Sequence, residues 1–449
     1  MRVSFFGATR GVTGSCHRLE TTGGTVLVDC GIYQGLGSFE KNREPFAFDP
    51  KTVSAVVVTH PHADHIGRLP KLVKDGFHGT IFMTEPCRSL SRIVLEDTAS
   101  ILSEEFERTH MEPLFDQTDV ESVFHRVKTV GYHEEFEPVS GLLATLHDAG
   151  HILGSAFVTL RGEGKQVAFS GDIGNDDVPI LPNTEPLEGT LDAVVCESTY
   201  GNRLHEPHAD RRKKLVKHIK GIVEDKGALL IPAFSIERTQ EILYEIDRIL
   251  LEDLKTNIPI FLDSPMAIKA TQTYRHYQQY LQFNSDILSE PDRDFFSFPN
   301  LRETLSVDES KMINNHRPPM IIIAGGGMMD GGRIMHHLKR HLPNPTTRVL
   351  IVGFQATGTV GRQIEEGAKT VKIHGEDVLV GAQIDEIHAF SAHGDRDKLV
   401  RWLTSGTGDP SQIFLVHGDE DQKQGFKKTL ESKTGSTVVI PEIGQSFLI

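Results

Sequence analysis

In the stretch Thr59-His60-Pro61-His62-Ala63-Asp64-His65, three imidazoles and a carboxylate fall within six consecutive residues. Packing does not require such a run; cation binding does. Val53 to Val58, just before it, is apolar and β-branched, the pattern of a strand buried on both faces. After it, Ile66, Leu69 and Leu72 recur at helical spacing. His60 and His62, two residues apart at a strand's end, project to one side of the loop. Asp64 and His65 open the following helical turn and face a second point. Two pairs aimed at two points suit two metal ions about 3.5–4 Å apart. Histidine nitrogen mixed with carboxylate oxygen suits two zinc ions and leaves manganese and iron open.

Further metal-competent residues stand at strand ends or in the turns after them. His151 lies in Asp148-Ala149-Gly150-His151, and Asp172 follows Phe169-Ser170-Gly171. Glu197 follows Ala193-Val194-Val195-Cys196, and His417 follows Ile413-Phe414-Leu415-Val416. His393 stands in Phe390-Ser391-Ala392-His393-Gly394-Asp395. Polar strand tips are common, so the weight lies in the combination. Seven ligands would serve two adjacent cations: His60, His62 and His151 on one, Asp64, His65 and His417 on the other, Asp172 between. Open positions then remain for water and substrate, and water activated between two cations is a strong nucleophile near neutral pH. Asp29, closing the run Val26-Leu27-Val28, reads equally as a turn cap and as support for a ligand histidine. His110, His125 and His133 are isolated and read as solvated or core histidines.

The elements that must position these residues follow from periodicity. Residues 1–60 alternate short apolar runs with glycine-rich turns: Val3–Phe6, Cys16–Glu20, Thr25–Asp29, Val53–Val58. Gly7 to Ser15 lacks the Gly-Lys-Ser/Thr ending of a P-loop and reads as a turn. Leu90 to Phe124 is helical and acidic, and strands resume over Leu142–Leu146, Ala156–Leu160, Gln166–Ser170 and Leu191–Cys196. Near residue 205 the organisation changes. Arg211, Arg212, Lys213, Lys214, Lys217 and Lys220 mark a basic amphipathic helix whose charges are mostly a solvated face. Strand-like and helical runs then alternate from Ala228 to Glu366, the rhythm of a parallel α/β sheet.

The 449 residues, 38% hydrophobic and 24% charged, suit two or three soluble domains. A net charge of −15 argues against coating nucleic acid indiscriminately. No signal-peptide core follows Met1, and no apolar run nears the roughly 20 residues that span a bilayer, so no membrane partner is expected. Cys16, Cys30, Cys87 and Cys196 form no C-x-x-C pair and read as buried free thiols in a reducing cytoplasm.

The motif His60-x-His62-x-Asp64-His65, with His151 and Asp172, resembles that of the metallo-β-lactamase superfamily. More narrowly, the chain resembles the β-CASP RNA nucleases, the group containing the cleavage-and-polyadenylation endonuclease and ribonuclease J. The narrower match rests on Glu197-Ser-Thr-Tyr-Gly, Ser391-Ala-His393 and Leu415-Val-His417-Gly. It also rests on Pro232-Ala-Phe-Ser-Ile-Glu-Arg238, Phe261-Leu-Asp-Ser-Pro-Met266, Gly327-Met-Met-Asp-Gly-Gly-Arg333 and Gly353–Arg362. Asp29 matches the superfamily's first-motif aspartate.

The resemblance implies an α/β protein: an αββα sandwich over residues 1–204 and 388–449, with a parallel α/β β-CASP domain inserted at 205–387. It implies a zinc-dependent ribonuclease acting on single-stranded RNA, releasing 5′-phosphate and 3′-hydroxyl ends. His393 would protonate the leaving oxygen and Glu197 would orient it; Asp64 counts with them as catalytic. Arg238, Arg333, Arg362 and Ser235 would meet the substrate, the arginines as phosphate clamps, with structural ion pairs an equal use for each. Gly325-Gly326 stands where relatives often have serines, and Thr357 where glutamate is common. The chain ends at Ile449 without the C-terminal extension of ribonuclease J, which favours a stand-alone endonuclease. The alternatives are a 5′-to-3′ exoribonuclease, a DNA nuclease of the same superfamily, and a non-catalytic RNA-binding subunit. A homodimer stays open.

Overall fold

Strands apolar on both faces, such as Ala55–Val57 and Ala193–Cys196, need a covering layer on each, and this chain supplies both. The structure is a computed structural model that describes residues 1–35, 37–176, 178–206, 208–282, 294, 296–356 and 358–449. The position of Thr357 lies outside them. Two compact units emerge: Met1–Asp176 with Leu181–Leu204 and His393–Ile449, and Asp177–Ile180 with His205–Ala392.

The first unit holds two seven-stranded sheets. One runs in the order Ser446–Leu448, Arg2–Phe5, His17–Thr21, Gly24–Val28, Ala55–Val57, Thr80–Met83, Val127–Thr129. The other runs Thr437–Val439, Gln412–Leu415, Ala193–Cys196, Lys165–Phe169, Ala156–Gly162, Leu142–Asp148, Glu135–Val139. Val26, Val28 and Val57 of the first sheet share one core with Val158, Val167 and Phe169 of the second. The period-two alternation sends the residues between them the other way. Phe157 and Ala168 pack with Leu399, Trp402, Leu403 and Phe426 from helices Arg396–Leu403 and Glu420–Lys433. Leu27, Val56 and Ile81, on the outward face of the first sheet, are equally buried. The layers are αββα.

The expected helical stretch 90–124 is two helices, Glu85–Thr109 and Gln117–Phe124. His110 ends the first in the left-handed region, at φ 58. Asp116 starts the second with a capping box, its carboxylate accepting from the backbone of Thr118 and Asp119.

The last residues of the chain belong to both sheets. Thr437–Val439 runs parallel to Gln412–Leu415, and Ser446–Leu448 runs antiparallel to Arg2–Phe5. This return places the strand that precedes His417 beside Ala193–Cys196, in the sheet whose strand ends also carry His151, Asp172 and Glu197.

In the second unit six strands pair in parallel, in the order Leu301–Glu303, Ile260–Asp263, Met320–Gly325, Ala228–Ala233, Arg348–Ile351, Gln383–Glu386. Helices Arg238–Glu252, Pro265–His276, Ile334–His341 and Val360–Glu365 follow successive strands. Its central strands are near-continuous apolar runs, as sheets covered on both faces require. The basic helix is His208–Asp225, with Lys213, Lys217 and Lys220 exposed. Arg211 departs from that solvated face: it is buried and paired with Glu241 and Glu245. The chain returns to the first unit at His393 rather than at the expected 388, because the turn His388–Phe390 packs on helix His208–Asp225. All four cysteines are buried and free. Among the described residues no helix is long and apolar enough to cross a membrane.

Candidate metal centre

The strand Ala55–Val57 stops at a loop whose geometry is set from outside by Asp29. Asp29 adopts φ 63, a left-handed conformation that aspartate tolerates better than most residues. Its carboxylate accepts from the Thr59 backbone N–H and hydroxyl, each at 2.8 Å, and lies 2.7 Å from His65 Nδ1. Both readings of Asp29 meet here, since it braces the loop and fixes a histidine ring. A carboxylate on Nδ1 leaves Nε2 for a cation. Gly31 has to be glycine: a Cβ there would lie 1.5 Å from the Asp64 carbonyl oxygen.

Around this loop the seven candidate ligands converge. His60, His62, His151 and Asp172 bring one donor atom each to within 4.8 Å of one another, and so do Asp64, His65 and His417. His62 Nδ1 lies 3.1 Å from His60 Nε2 and 3.3 Å from His151 Nε2. His417 Nε2 lies 3.2 Å from both His65 Nε2 and Asp64 Oδ2. Asp172 faces both groups. Its Oδ2 is 3.3 Å from His60 Nε2 and 3.6 Å from His151 Nε2, while Oδ1 is 3.5 Å from His65 Nε2 and 3.6 Å from His417 Nδ1.

These separations are those of ligands around zinc. Donors at about 2.0–2.2 Å in tetrahedral array stand about 3.3–3.6 Å apart. Asp172 Oδ1 is buried and accepts no hydrogen bond among the described residues, a situation costing about 1–3 kcal/mol unless a cation or donor meets it. Burial holds the His60 imidazole well below its ordinary value, helped by the neighbouring histidines, and lowers His62 to about 3. Both rings are therefore neutral and present the lone pair a metal takes. At His65 burial also acts downward, but the carboxylates of Asp172 and Asp29 outweigh it and raise the ring to about 10. The surroundings of that ring favour positive charge. The residues present fit a pair of divalent cations.

Beside this centre lies a carboxylate–imidazole pair. Glu197 is fully buried; its Oε1 accepts from the Ile173 N–H at 2.7 Å and lies 3.3 Å from His393 Nδ1. His393 keeps 21% of its side chain exposed. Burial lowers its proton affinity, yet Glu197 and Asp172 more than compensate and raise it to about 9. Asp172, Glu197 and His393 also stand close enough to hold a cation together, so their chemistry has to be separated from ligation by experiment. The Gly394 N–H donates to the Ile173 carbonyl at 2.7 Å, which ties the His393 turn to the Asp172 loop.

The expected substrate contacts stand differently. Arg238 is buried, its guanidinium 2.8 Å from Glu241 and 3.4 Å from Glu237. Arg333 donates to Asp263 at 2.7 Å and to the carbonyls of Thr304 and Leu305. Both are structural ion pairs in this structure rather than free clamps. Arg362 pairs with Glu365 and Glu366 of its own helix and keeps 37% of its side chain exposed. Ser235 Oγ lies 3.1 Å from Ser264 Oγ. Because removing one partner of a buried pair strands the other charge, Arg238→Ala is expected to destabilise the protein by about 3–5 kcal/mol. A urea midpoint equal to wild type would return this guanidinium to the list of substrate contacts.

Comparison with known proteins adds family membership. The family model of the metallo-β-lactamase superfamily matches residues 9–233, that of the Beta-Casp domain residues 239–364, and that of the Zn-dependent metallo-hydrolase RNA specificity domain residues 377–441. Ribonuclease TTHA0252 of Thermus thermophilus is 36% identical, covering 99% of both chains. The RNase J-like protein of Methanocaldococcus jannaschii is 31% identical over 95% of each. Transcription termination factor FttA of the same organism is 29% identical over 98% of this chain and 70% of its own. A crystal structure of a protein of unknown function from Enterococcus faecalis shares the fold, with a TM-score of 0.57 at 11% identity, over 100% of this chain and 99% of that one. With a superfamily model matched over half its length and a relative matched end to end, the chain belongs to the metallo-β-lactamase superfamily, in its β-CASP branch of metal-dependent hydrolases.

Proposed function

We propose that this chain is a zinc-dependent ribonuclease that cuts single-stranded RNA internally and leaves 5′-phosphate and 3′-hydroxyl ends. The observation that carries the reading is Asp172, whose two oxygens each face a separate set of histidines. His60, His62 and His151 would hold one ion, and Asp64, His65 and His417 the other, with Asp172 reaching both. Two zinc ions bound there would lower the proton affinity of water and neutralise charge on the phosphate oxygens.

The chain's own groups do the rest. Asp29 fixes the His65 ring through Nδ1. Asp64, with 17% of its side chain exposed against 1% for Asp172, is the ligand carboxylate placed to take a proton from attacking water. Glu197 aligns His393 and favours its protonated form, so that His393 delivers the proton to the departing 3′ oxygen. Arg362 suits a phosphate contact, because exposed ion pairs are worth only about 0–1 kcal/mol and exchange readily for a phosphate. Ser235 is the neutral donor in the same unit. The ribonuclease names of the relatives and the RNA specificity domain matched at 377–441 support RNA as substrate. Four buried free thiols suit a reducing cytoplasm.

The test uses circular and end-labelled linear single-stranded RNA with zinc-loaded protein, alongside a matched DNA strand. We expect the circle to open, ends ligatable as 5′-phosphate and 3′-hydroxyl, and loss of cleavage with a chelator. A 2′,3′-cyclic phosphate end would overturn the water-attack mechanism. An intact circle with degraded linear RNA would make the enzyme an exonuclease, and equal turnover of DNA would move it to the DNA-directed relatives.

A further inference from the structure

We propose that His133, His147 and Glu185 form a peripheral site for a zinc-class divalent cation, distinct from the seven-ligand centre. The three residues are scattered in sequence, and nothing in the proposed nuclease chemistry uses them. Their donor atoms lie within 4.8 Å of one another. Glu185 presents one oxygen to each ring: Oε1 is 3.2 Å from His133 Nε2, and Oε2 is 3.7 Å from His147 Nδ1. Neighbouring ligands of tetrahedral zinc stand about 3.3–3.6 Å apart, and both carboxylate–imidazole distances are close to that range.

Each ring is held in place. His147 stacks on Phe157 with centroids 4.7 Å apart and planes 10° from parallel. Its Nε2 lies 3.0 Å from the Thr159 hydroxyl. We assign the proton to Nε2, donating to that hydroxyl, which leaves the Nδ1 lone pair aimed at Glu185. An outer hydrogen bond that orients a ligand ring is the usual companion of metal binding by histidine. His133 sits at φ 62, a left-handed backbone, with its N–H bonded to the Leu146 carbonyl at 2.9 Å. This brings a residue that follows the strand Val127–Thr129 against the last turn of Leu142–Asp148. His133 and His147 also line an open cavity of about 390 Å³ with Glu135, Arg161 and Glu188, so the two rings can be reached from solvent.

The site has a structural consequence for the catalytic loop. The Glu185 N–H donates to the Asp148 carbonyl at 3.0 Å, and the Thr184 hydroxyl to the Ala149 carbonyl at 2.8 Å. Gly150 touches this segment so closely that a Cβ would lie 2.7 Å from the Pro182 oxygen and the Thr184 nitrogen. A cation on Glu185 would fasten residues 182–185 across the loop that delivers His151.

Wild type, His133→Ala and Glu185→Gln are each equilibrated with zinc, dialysed, and analysed for metal per chain. We expect each variant to hold one ion fewer than wild type while the ions of the seven-ligand centre stay in place. His133 has 61% of its side chain exposed, so its truncation leaves the fold intact. Zinc should also raise the Tm of wild type more than that of His133→Ala. Equal zinc content in the three proteins, or loss of the whole metal complement in the variants, overturns the proposal. Because the readout is a difference of one ion, it stands apart from whether RNA is the substrate.

Discussion

Asp172→Asn is expected to empty the proposed centre of metal and to lower cleavage of single-stranded RNA by about a thousandfold or more, since cations bound there would supply several kcal/mol of transition-state stabilisation. Asparagine keeps the volume and shape, so core packing is undisturbed. The change removes a negative charge between four imidazoles and replaces one oxygen by an amide nitrogen, which cannot ligate. Whichever way the amide turns, one of the two cation positions loses its bridging oxygen. Elemental analysis and a cleavage time course on the same preparation check this, with circular dichroism to show the fold retained. Retention of both ions at wild-type rate would falsify the bridging role and with it the two-ion reading.

His393→Ala separates proton delivery from ligation. A general acid contributes about 10²- to 10⁴-fold, so cleavage should fall within that range while metal content stays at the wild-type value. The stoichiometry matters because Asp172, Glu197 and His393 lie close enough to bind a cation themselves. If His393→Ala loses an ion as well as activity, His393 is a ligand. If it loses neither, the imidazole is a bystander and another group protonates the leaving oxygen. Glu197→Gln should reproduce part of the defect, since Glu197 acts through the ring it faces at 3.3 Å.

Much of the candidate ligand set was legible in the sequence because four of its members sit where an apolar strand runs out. His60, His151, Asp172 and His417 are all of that kind, and such boundaries survive in a single chain. The same logic located the strand–helix alternation of the second unit. What it could not supply was pairing across distance. For Arg333 phosphate clamp and ion pair stood level, because its partner, Asp263, lies 70 residues away at the end of a strand. Arg211 sat in a run of cations, and only the tertiary structure shows it turned inward to Glu241 and Glu245. Arg238 was more readable, for Glu241 is one helical turn on. His133 looked isolated since proximity to His147 and Glu185 is a property of sheet edges and loops, not of spacing.

The order in which the polypeptide is made gives the strand pairing near Gln412–Leu415 a temporal meaning. Of the seven residues facing the two cation positions, every one but His417 precedes residue 205; His417 emerges from the ribosome only after the entire second unit has been translated. A nascent chain can gather His60, His62, His151 and Asp172 early and yet lacks the imidazole that completes Asp64 and His65. A chain built this way cannot assemble its full candidate ligand set beside its own messenger until the second unit has been translated.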